Sequence, residues 1–166
     1  MAIADANYHP NLSQLFGAPS ISAPTVITCT TGAFTAAAQS MFTIAGGPIY
    51  GMFVGIVTTP IGGTAMNGTL QEVVTTPSGT VQLSTAVSLI SKAAGTSIRF
   101  VGTSTYAVLT LVTAGAKIID PVTVADDWFL LPIGAVSLLT TAINTGLITW
   151  SLSYYPLSPD CVVTVT

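Results

Sequence analysis

The stretch Leu147-Ile148-Thr149-Trp150-Ser151-Leu152-Ser153-Tyr154-Tyr155 decides the fold class. On an extended chain Ile148, Trp150, Leu152 and Tyr154 fall on one side, while Thr149, Ser151 and Ser153 fall on the other. A helix would scatter these two sets around its circumference. The period of two assigns a β-strand with one face in a core and the other toward water or a neighbour.

Outward from this strand the same pattern repeats. Short runs rich in Val, Ile and Thr, as strands prefer, lie at 25–31, 40–45, 49–59, 69–75, 80–84, 97–101, 105–113, 127–131, 134–140, 146–155 and 161–166. Turn chemistry separates them: Gly46-Gly47, Gly62-Gly63, Asn67-Gly68, Pro77-Ser78-Gly79, Gly102 and Asn144-Thr145-Gly146. Such spacing predicts an all-β fold, an antiparallel β-sandwich or barrel over residues 25–166. The one helix candidate is Ala86–Ala94, where Val87, Leu89 and Ile90 could form a short turn ahead of Gly95. Segments 57–64 and 74–80 resemble each other, each placing a proline just after a strand and a glycine in the following turn.

Charge is almost missing. The 166 residues hold three Lys or Arg and six Asp or Glu, with none at all from Ala6 to Gln71, whereas an ordinary soluble domain is about a quarter charged. Thr and Ser fill the gap, making up almost a quarter of the chain. Hydroxyls are cheap to bury when a neighbour takes their hydrogen bond, and interfaces are depleted in Lys, Glu and Asp. The composition therefore reads first as that of an assembly subunit and second as that of a monomer. With a net charge of −3 the chain lacks the cationic surface that drives nucleic-acid binding. The mean hydropathy of +0.75 raises the question of a membrane, but the longest apolar stretch, Ile44–Val57, is interrupted by five Gly or Pro residues and cannot make a spanning helix. No targeting segment is evident.

Residues 1–24 read as an extended N-terminal arm. Pro10, Pro19 and Pro24 disfavour helix, and the anchors Tyr8, Leu12, Leu15 and Phe16 need something to bury against, in this subunit or the next. An unbound tail is the alternative.

Three segments carry a family resemblance: Met41-Phe42-Thr43-Ile44-Ala45-Gly46-Gly47-Pro48-Ile49-Tyr50 running on to Thr59, Asp127-Trp128-Phe129-Leu130-Leu131-Pro132-Ile133-Gly134, and Thr145–Pro159. In this order they resemble small structural proteins of tailed bacteriophages, over residues 40–166. The resemblance implies a jelly-roll or related β-sandwich on the outer capsid surface of the virion. There it would act as a decoration (cement) protein, in homotrimers, with the major capsid protein as its partner. A receptor- or glycan-binding module of a head or tail fibre is the second reading.

Catalytic chemistry finds little to work with. His9 is the lone histidine and lies in the arm, outside the domain that would have to supply its partners. Asp126 and Asp127 point to opposite sides of an extended chain and cannot share a proton; with Asp120 they could hold calcium, or simply form a polar loop. The glycine pairs lack the helix and lysine of a phosphate loop. No cofactor is expected, and no enzyme. Cys29 and Cys161 are two free thiols, or a disulfide if their Cα atoms approach within about 7 Å. Trp150 and Tyr154 belong to the core face, and Trp128 and Tyr106 are assigned to the core with them. Tyr155 points the other way and is the aromatic expected to meet a neighbour or ligand.

Overall fold

A computed structural model describes residues 24–75, 77–103, 106–112 and 128–166. They form strands β1 (Thr25–Phe34), β2 (Ala38–Ala45), β3 (Ile49–Thr59), β4 (Asn67–Val74), β5 (Gly79–Gln82), β6 (Val87–Ser88), β7 (Ser97–Thr103), β8 (Tyr106–Val112), β9 (Phe129–Leu131), β10 (Gly134–Thr140), β11 (Asn144–Pro156) and β12 (Val162–Val165). All pairings are antiparallel, in two sheets arranged as a sandwich. The front sheet runs β1-β11-β3-β7-β8, with β9 on the same edge of β3 as β7; the back sheet runs β12-β2-β10-β4-β5, with β6 beside β4. Successive strands alternate between the sheets at the start and end of the chain, so the late strands β10 and β11 insert between early ones.

The core is what the alternation requires. On β11 Ile148, Trp150, Leu152 and Tyr154 are buried, and they meet Phe53 and Val57 of β3 within the front sheet's inner face. Phe42 of the back sheet and Phe53 of the front approach with ring centroids 6.0 Å apart, joining the layers. A bulge in β2 opposite Val136 and Ser137 lets two consecutive residues, Met41 and Phe42, both turn inward. Gly55 faces Trp150 across the β3–β11 pair, where an added Cβ would lie 2.8 Å from the indole ring. Glycine there gives the ring its space. Gly46 has φ +74° and lies against the carbonyl of Asp160, so the β2–β3 turn accepts only glycine without strain.

Among the described residues there is no helix, which corrects the expectation for Ala86–Ala94. The backbone there is committed to partners far along the chain: Leu89 donates to the Met66 carbonyl (2.8 Å), Ser91 to that of Gly62 (3.0 Å), and Ile61 to that of Lys92 (2.9 Å). Ser91 also has a positive φ of 51°, which no right-handed helix contains. The apolar residues that suggested a helical face instead include Leu89, a buried anchor of the core. The arm residues Tyr8, Leu12, Leu15 and Phe16, His9, and the acids Asp120, Asp126 and Asp127 lie outside the described residues.

Candidate assembly surface

The same alternation that fills the core sends every second residue of the front sheet outward. Register aligns them in rows: Thr30, Thr149, Ile56 and Ser97; Thr28, Ser151, Val54 and Arg99; Val26, Ser153 and Met52; and finally Tyr155, Tyr50 and Leu130. Val26, Ile56, Tyr50 and Leu130 are all exposed, Leu130 at 65%. Arg99 is the one charged side chain in these rows. Elsewhere among the described residues the only other Asp, Glu, Lys or Arg side chains are Glu72, Lys92 and Asp160.

The last row is aromatic. Tyr50 and Tyr155 are register partners on β3 and β11, and Trp128, entering β9, stacks on both, with centroids 5.5 Å from Tyr50 and 5.3 Å from Tyr155 and interplanar angles of 24° and 26°. Trp128 and Tyr155 are half-buried and Tyr50 is exposed. This places Tyr155 on the outer face, as its position in the alternation requires, and moves Trp128 out of the core to join it. Tyr50 was missed. Its outward direction follows from Ile49 being buried, but its proximity to Tyr155 exists only through a pairing of strands about a hundred residues apart.

Threonine hydroxyls on both sheets bond one another in pairs. Thr30 and Thr149 share a hydrogen bond of 3.2 Å across β1 and β11, and Thr43 and Thr166 one of 3.1 Å across β2 and the chain's end. A threonine whose hydroxyl is already satisfied loses little when a partner displaces its water.

Chemistry is scarce elsewhere. A cavity of about 510 Å³ opens where the loops after β1, β3 and β10 converge, lined by Phe34, Gly62, Gly63, Ile143 and Asn144 among others. The Asn144 amide donates to the Gly62 and Thr64 carbonyls, 3.2 and 2.9 Å away, and no acid, base or nucleophile stronger than a threonine lines the space. Cys29 and Cys161 are both free, with burial raising each thiol's pKa and keeping it protonated. Glu72 is the exception to the charge-free interior. It points inward from β4 at 1% exposure, its Oε1 has no hydrogen-bond partner, and desolvation pushes its pKa up to about 7. Among the described residues there is no group of three or more metal-ligating side chains, and no helix long and apolar enough to cross a membrane.

No family model and no curated protein matches the chain. Among solved structures it is similar to a chain from the structure of infectious bursal disease virus, Gx strain, at 12% identity and a TM-score of 0.23. The match covers 86% of this chain and 39% of that one, so this chain spans about two fifths of the viral chain's length.

Proposed function

We propose that this chain is a non-enzymatic virion structural protein that works by burying the outer face of its front sheet against other subunits. The observation that carries this reading is the face itself, with exposed apolar side chains, a stacked aromatic row, self-satisfied threonines and a single charge. Hot spots of protein interfaces are rich in Trp and Tyr, and monomers seldom leave such rows in water. Taken with the resemblance of residues 40–166 to tailed-phage proteins, the finer reading is a decoration protein on the outer capsid surface, trimeric, bound to the major capsid protein. The strand order supports a jelly roll: β1-β11-β3-β7 and β2-β10-β4-β5 are the two nested four-stranded sets of interlocked Greek keys. A glycan platform fits less well, because the Trp128 indole already stacks on two tyrosines and its ring surface is engaged.

Light scattering on the purified chain tests the assembly reading: an oligomer is expected, and a monomer persisting at high concentration refutes it. Removal of residues 1–24 is expected to weaken binding to capsids while the sandwich stays folded. Undiminished binding would remove the arm from the interface, and glycan-array binding abolished by Tyr155→Ala would favour the fibre-module alternative.

A further inference from the structure

The aromatic row and the segment ahead of β1 complement each other. Tyr155, Tyr50 and Leu130 form the last row of their face, and the chain enters β1 at Thr25, opposite Tyr154. Pro24 therefore lies one strand from Tyr155, a spacing of about 4.8 Å. The preceding 23 residues carry Tyr8, Leu12, Leu15 and Phe16 with one charged side chain, Asp5. They are a long, apolar, nearly uncharged segment tethered beside an apolar, nearly uncharged face.

Position and reach decide whose face it covers. β1 runs from Thr25 into the sheet, so the point at which residues 1–23 are tethered lies at the sheet's end, beside the aromatic row. Proline disfavours helix in the residue before it, so the sequence around Pro19 and Pro24 favours a long, far-reaching chain over a compact helix. Phe16 is at most roughly 30 Å of chain from Pro24, enough to reach an adjoining subunit. We propose that the segment Tyr8–Phe16 of a neighbouring copy seats on the Tyr50–Trp128–Tyr155 row and Leu130, each subunit lending its arm to the next. This rests on the assembly reading above and specifies its contact. Exchanged arms in a closed ring satisfy every row with one kind of interface.

Two variants of the full chain test it. Leu12→Asp with Phe16→Asp disables the arm, and Leu130→Asp disables the row at a side chain 65% exposed, outside the core. Light scattering reads association, and acrylamide quenching reads Trp128, since Trp150 is 1% exposed and shielded. The expected result is an oligomer with Trp128 protected. Each variant associates about tenfold more weakly or worse and leaves Trp128 open, and an equal mixture of the two pairs only as far as a dimer of one with the other, because the intact arm of the Leu130→Asp chain fits the intact row of the arm variant while the return contact is disabled. An arm variant with unchanged mass and quenching overturns the proposal. So does a quenching change at constant monomer mass, which puts the arm on its own sandwich. Association lost with Leu130→Asp but not with the arm variant also overturns it, while leaving face-to-face assembly standing. A full chain that stays monomeric overturns both.

Discussion

Replacing Glu72 by glutamine is expected to make this protein more stable at neutral and alkaline pH. The carboxyl sits on the inner face of β4, its register neighbours are Val136 and Val81, and Oε1 has no partner. Desolvation raises its pKa from 4.5 to about 7. A carboxyl raised in the folded state holds its proton there after the unfolded chain has released its own. Stability is therefore full below about pH 4.5, falls as pH rises through the interval to 7, and is flat above it. At about 1.36 kcal/mol per pKa unit the loss across that interval is about 3 kcal/mol, a large part of a marginal total. Glu72→Gln keeps the shape and removes the ionisation, so its stability should be level across the interval, matching the parent near pH 4.5 and exceeding it by about 3 kcal/mol at pH 8. Urea unfolding followed by Trp150 fluorescence at half-unit pH steps measures this, with little background from a chain holding six acids and one histidine. A parent protein whose midpoint does not fall between pH 5 and 7.5, or a variant with no gain at pH 8, refutes the reasoning.

Gly55→Ala places a methyl 2.8 Å from the Trp150 ring and should cost about 2 kcal/mol by overpacking, read as a lowered thermal midpoint. Thr31→Val removes the acceptor of the buried Trp150 Nε1 hydrogen bond of 3.0 Å; an orphaned indole N–H costs about 1–3 kcal/mol, measured by chemical denaturation. Gly46→Ala, at φ +74° and against the Asp160 carbonyl, should lower the thermal midpoint, and an unchanged midpoint would mean the turn relaxes freely. Tyr155→Ala should leave urea stability within about 1 kcal/mol, as surface changes do, while weakening self-association in sedimentation equilibrium.

The strands are legible because their signals are local. β3 and β10 occupy the runs read from the sequence at 49–59 and 134–140, and the prolines at 60 and 77 stand just past β3 and β4. Alternation along β11 also settled which side of that strand Trp150 and Tyr155 would take. The misreadings concern pairing. Leu89 looked helical because apolar spacing over nine residues cannot reveal that Met66 and Gly62 take the local amides. Trp128 looked like core because nothing near it in the chain shows that β9 adds to β3 beside Tyr50. Glu72 gave no signal of burial, since its neighbours Gln71 and Val73 fit either facing.

The insertion of β10 and β11 between earlier strands also fixes the order of events at the ribosome. β1 and β3 are joined only through β11, and β2 and β4 only through β10, so neither layer can close until residues 134–156 have been synthesised. Until then β1 and β2 have no ladder partner, and β3 and β4, though joined to β7 and β5, each keep one edge open. Pairings of such long range make folding slow and leave the intermediate prone to aggregate. Synthesis of this polypeptide therefore calls for a chaperone-rich cell, or for slow release into dilute solution when it is produced alone.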